Sequence, residues 1–93
     1  MIEYLYNTIR ATAGDIMTVN AILTDASGND INEGCHFMLF NLNDELLITV
    51  DGEYKEGEWT FNVPTTGFEK GRYWYCICHN EEKLCFKQRA YLV

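Results

Sequence analysis

Proline, positive charge and long apolar runs are what this 93-residue chain has least of. Nothing approaches roughly 18 consecutive apolar residues, so no segment suits a membrane span. The first residues, Met1-Ile-Glu-Tyr-Leu-Tyr-Asn-Thr8, have neither the basic flank nor the apolar block of a secretory leader. Synthesis and retention in a cytoplasm are expected, unless a leader has already been removed. Seven Lys and Arg face 14 Asp and Glu, giving a net charge of −7. A phosphate backbone requires clustered cations, and the seven are mostly scattered, with Lys83, Lys87 and Arg89 a loose group beside Glu81 and Glu82. Nucleic acid and anionic membranes are therefore not expected partners. No dozen-residue window carries a 3.6-residue apolar stripe with caps, which argues against helices. Neither a Ser-His-Asp constellation nor a phosphate-cradling glycine loop is present, so no enzyme signature emerges.

What remains is 47% apolar, enough for one modest core in one domain. Period-two alternation and turn residues at strand-length intervals predict an all-β sandwich of about seven strands. The expected strands are Glu3–Ala11 (with Tyr4 and Tyr6), Ile16–Thr24, Cys35–Leu42, Leu46–Asp51, Glu58–Val63, Gly71–His79 and Leu84–Val93. Ala13-Gly14-Asp15 and Asp25–Asp30 read as turns. Ile31–Gly34 is expected to form one helical turn and Gly52–Gly57 a charged loop. Pairing should lapse at Pro64, which has no N–H. Thr65–Lys70 should cross between sheets. A turn centred on Glu81 and Glu82 would pair His79 with Leu84, Cys78 with Cys85 and Ile77 with Phe86. Uninterrupted, that register sets Gln88 opposite Tyr75, whereas Tyr91 and Val93 look like core, so a β-bulge is expected between Lys87 and Ala90.

Two strands are apolar on both faces. Tyr73, Tyr75 and Ile77 alternate with Trp74, Cys76 and Cys78, and Phe37 and Leu39 alternate with Met38, Phe40 and Leu42. Water normally covers one face of a sheet in a small antiparallel domain. Met38, Phe40, Leu42, Trp74, Cys76 and Cys78 are thus expected to form an interface that a partner chain covers. A charge at Trp74 is expected to block assembly and spare the fold.

The four cysteines read as reduced thiols acting as small hydrophobes. A Cys78–Cys85 disulfide and a zinc site built from Cys35, Cys76, Cys78 and Cys85 are the alternatives. Within one strand, Cys35 and His36 diverge, as do Cys78 and His79, so neither makes a nucleophile–base pair. Asp25, Asn29 and Asp30 could ligate calcium, but self-capping turn residues explain them as well. No cofactor is called for.

Gly14-Asp15, then Met17, Val19, Ala21 and Leu23, then Thr24-Asp25 with Gly28-Asn29, and Gly34 before the next strand make a pattern. With Gly71-Arg-Tyr-Trp-Tyr-Cys-Ile77 and Ala90-Tyr-Leu-Val93, it resembles the small immunoglobulin-like domains of tailed-phage virion proteins, such as baseplate upper proteins and head-fibre or decoration domains. The chain departs from that pattern at Cys76, where Asp is usual, and at Met38 and Phe40, where polar residues are. The resemblance implies an immunoglobulin-like antiparallel sandwich and a non-enzymatic virion accessory protein. Such a protein is made in a host cytoplasm and docks on a capsid, connector or baseplate protein, or on copies of itself. The rivals are a cytosolic cysteine-cluster metal or thiol module and an adhesion or carbohydrate-binding domain.

Overall fold

Met17, Val19 and Ala21 are buried and Thr18 and Asn20 exposed, so the second strand lies with one face on a core and one in water. The computed structural model describes residues 8–80, 82–83 and 87–93. Its strands are β1 (Ile9–Ala11), β2 (Ile16–Ala21), β3 (Cys35–Phe40), β4 (Leu46–Asp51), β5 (Glu53–Lys55), β6 (Glu58–Pro64), β7 (Gly71–His79), β8 (Glu82–Lys83) and β9 (Gln88–Leu92). The larger sheet runs β1-β9-β7-β3-β4, with β8 also on β7, and the smaller runs β2-β6-β5. All pairs are antiparallel except β1 with β9. Consecutive strands β1 and β2 lie in different sheets, so β1 adds to the last strand instead of forming a hairpin. Tyr4 and Tyr6 lie outside the described residues.

The core fills the space between the sheets. The small sheet contributes Met17, Val19, Ala21, Trp59, Phe61 and Val63, and the large sheet Phe37, Leu39, Tyr75, Ile77 and Ala90. Phe37 stacks on Tyr75 with centroids 5.2 Å apart, and Trp59 on Phe61 at 6.0 Å. Each such side chain contributes about 1.5–3 kcal/mol by leaving water. Thr65, fully buried, fastens the β6–β7 crossover. Its hydroxyl donates to the Asp15 carbonyl and accepts the Gly14 N–H at 3.0 Å.

Pro64 closes β6 opposite Ile16, so pairing extends to it and does not lapse there, and four further expectations need correction. Ile31–Gly34 is a bend and not a helical turn. Ile31 is buried, its carbonyl accepts the Trp59 Nε1–H at 2.6 Å, and Gly34 takes φ +77° to enter β3. Gly52–Gly57 contains β5, because Tyr54 turns inward opposite Trp59 while its charged neighbours face out. The chain changes sheets at Gly52, where a Cβ would come within 2.6 Å of the Trp59 and Phe61 rings. β3 ends at Phe40, so Leu42 belongs to the turn after it.

The last hairpin is the fourth. Cys78 lies opposite Lys83 and His79 opposite Glu82, two residues out of the expected register. Beyond residues 84–86 the strands follow the uninterrupted register that a bulge was expected to break, with Tyr75 opposite Gln88 and Tyr73 opposite Ala90. Three steps along β7, from Tyr75 to Cys78, thus answer five from Lys83 to Gln88. β9 itself pairs without a bulge, because Ala90 and Leu92 are its core residues. Tyr91 is half-buried on the other face and Val93 is 47% exposed.

Candidate functional site

The outer faces of the two sheets differ in chemistry. On the small sheet, Thr18 donates to Asn62 and Thr60 to Asn20, each at 3.0 Å, a polar ladder suited to water. On the large sheet the outer positions of β1, β3, β7 and β9 are apolar, aromatic or basic, and β4 adds exposed Thr49 beside Met38 and Asp51 beside His36. Register sets them in rows: His36 opposite Cys78, Met38 opposite Cys76, and Phe40 opposite both Trp74 and Leu46. Trp74 continues to Arg89, and Tyr91 sits between Arg72 and Arg10.

Half of this face is a second core. Phe40, Cys76 and Cys78 are only 7%, 0% and 3% exposed, and Met38 and Trp74 pack against them partly buried. The expectation that a partner must cover these three side chains is therefore corrected: a single chain already buries them. The Lys87 ammonium lies 4.2 Å from the Phe40 ring centroid and pairs with Asp44. Of the six expected interface residues, Met38, Trp74 and Leu42 keep exposed surface, with Leu42 at 52% in its turn. A charge at Trp74 would disturb the chain's own packing as well as any contact.

The other half is cationic and aromatic. Arg10, Arg72 and Arg89 are exposed around half-buried Tyr91 and Trp74, and Lys87 borders them. Four of the seven basic residues, scattered in the sequence, are gathered here by the fold. Two open depressions flank them. One, of about 450 Å³, is lined by Thr8, Arg10, Tyr91 and Val93, and the other, of about 310 Å³, by Thr8, Trp74, Lys87, Gln88 and Arg89. Sequence spacing missed this group because its members come from three strands. The signal was alternation: Arg72 and Arg89 share parity with Trp74 and Tyr91 respectively.

With that geometry in view, the likeness to known proteins is limited to fold. No protein-family model matches the chain, and no curated protein matches its sequence. The crystal structure of the Lin-41 filamin domain superposes with a TM-score of 0.66 at 11% identity, over 100% of this chain and 90% of that one. The fold is an immunoglobulin-like β-sandwich.

The cysteines divide between the faces. Cys35 points into the inter-sheet core, while Cys76 and Cys78 point outward, so the zinc set of Cys35, Cys76, Cys78 and Cys85 is not assembled. Cys85 lies outside the described residues, and with it the expected disulfide. Cys78 faces Lys83 across the hairpin. Among the described residues no three His, Cys, Asp or Glu side chains come together as a metal cage. The strands do set Cys35 opposite His79 and Cys78 opposite His36. Burial, however, pushes the Cys35 thiol up to about 11, away from the thiolate a nucleophile requires. In the Asp25 turn, the carboxylate accepts the Ser27 and Asn29 N–H groups, both at 2.9 Å, which accounts for its oxygen-rich sequence without calcium.

Proposed function

We propose that this chain is a non-enzymatic docking module, a tailed-phage virion accessory protein, that holds an acidic protein surface against the outer face of its large sheet. One observation carries this: in a chain of net charge −7, Arg10, Arg72 and Arg89 surround Trp74 and Tyr91 on a single face. Trp, Tyr and Arg are the residue types most enriched at interface hot spots. Large aromatic surfaces supply contact area, and guanidinium groups match carboxylates bidentately. A nucleic acid fits less well. Tight phosphate binding draws on about 6–10 contacts, and the rest of the molecule repels a polyanion. The virion assignment rests on the strand and turn motifs quoted above, and it makes the acidic partner a capsid, connector or baseplate protein or a second copy of this chain.

Co-expression with the products of neighbouring genes, followed by native mass spectrometry, tests both parts. A complex with a structural virion protein, or a homo-oligomer, is expected, and the variant Arg72→Glu/Arg89→Glu should lose it at unchanged melting temperature. Exposed positions like these shift stability by only about 0.5 kcal/mol. A complex that survives both charge reversals refutes the docking face. Failure of every neighbouring product to bind refutes the virion role.

A further inference from the structure

Three sulfur atoms meet on the outer face of the large sheet. Cys76 and Cys78 are two residues apart on β7, so alternation sends both thiols to one side, and their Sγ atoms are 3.9 Å apart. Met38 lies opposite Cys76 on β3, and its Sδ is 3.6 Å from the Cys78 Sγ. We propose that Cys76, Cys78 and Met38 form a binding site for monovalent copper. Donors each about 2.3 Å from one ion stand about 3.8–4.0 Å from one another in tetrahedral to trigonal arrangements. The Cys76–Cys78 and Cys78–Met38 separations, 3.9 Å and 3.6 Å, lie within a few tenths of an ångström of those values.

The donor set selects the metal. Zinc sites draw on four Cys, His or carboxylate ligands, and no three of these converge among the described residues. The third donor here is a thioether, which is neutral and soft, and thiolate with thioether favours Cu(I). The site is dry, with Cys76 and Cys78 almost fully buried, and half-buried Met38 forms its rim. A soft ion of low coordination number tolerates that dryness, because it requires no water ligand. Binding displaces one proton from each thiol to solvent and leaves a complex of one net negative charge.

The test is anaerobic titration with Cu(I) in competition with a coloured Cu(I) chelator. Reduced wild-type chain and the Cys85→Ser variant should each withhold one copper per chain. X-ray absorption should then show three sulfur neighbours at about 2.3 Å. Serine at a buried cysteine costs stability, so Met38→Leu, a volume-conserving change, carries the decision. It should weaken copper binding about 10-fold or more and remove one sulfur neighbour while the chain stays folded. Copper that is surrendered to the chelator, binding lost with Cys85→Ser, or unchanged affinity in Met38→Leu overturns the assignment.

Discussion

Phe40→Ala separates a second core from an open docking face. Phe40 is 7% exposed and packs with Cys76, Cys78, Met38 and Trp74. Truncating a buried phenylalanine costs about 3–5 kcal/mol, through lost transfer energy and the cavity left behind. The Lys87 contact adds about 0.5–1 kcal/mol. A loss near 3 kcal/mol lowers the melting temperature of a domain this size by about 12–24 °C. Phe37→Ala, on the opposite face of the same strand, should cost a similar amount, because Phe37 is fully buried against Tyr75. Urea unfolding of the isolated chain measures both. If Phe40→Ala costs about 0.5 kcal/mol, as at an open surface, while Phe37→Ala costs several times more, the outer cluster is not a core.

Three further outcomes follow from the packing. Gly52→Ala should destabilise by about 1–3 kcal/mol in urea unfolding, since its Cβ would drive into the stacked Trp59 and Phe61 rings. Thr65→Val should cost about 1–3 kcal/mol by stranding the Gly14 N–H, and Thr65→Ser should restore most of it. Cys35 makes an alkaline prediction. Burial raises its thiol from 9.0 to about 11, so folding favours the neutral form. That contribution is complete below pH 9 and is lost as pH rises through 11. The stability gap between wild type and Cys35→Ala should narrow over that window, as read by unfolding on either side of pH 9.

The sandwich was legible because alternation in β2 and β6 is unbroken and turn residues bound the strands. The two-faced character of β3 and β7 was legible because large apolar residues occupy both parities in each. β5 was not, since two of its three residues are charged and only the contact of Tyr54 with Trp59 makes it a strand. The parity of β9 was misjudged by favouring large side chains. Small Ala90 fits beside Tyr73 in the register, and Tyr91 turns outward. Burial of Phe40 and Cys76 is a tertiary property: nothing local to β3 or β7 announces it. The arginine group was only half legible: alternation puts Arg72 with Trp74 and Arg89 with Tyr91, but Arg10, Arg72 and Arg89 become neighbours only when β9 lies between β1 and β7.

Hydroxyl-radical footprinting of the chain, alone and bound to its co-expressed partner, tests the docking face most directly. Trp74 and Tyr91 should lose labelling on binding, while Tyr54, half-buried on the small sheet, keeps it. Unchanged labelling of Trp74 and Tyr91 in the complex, or protection centred on Tyr54, would place the contact elsewhere and contradict the account.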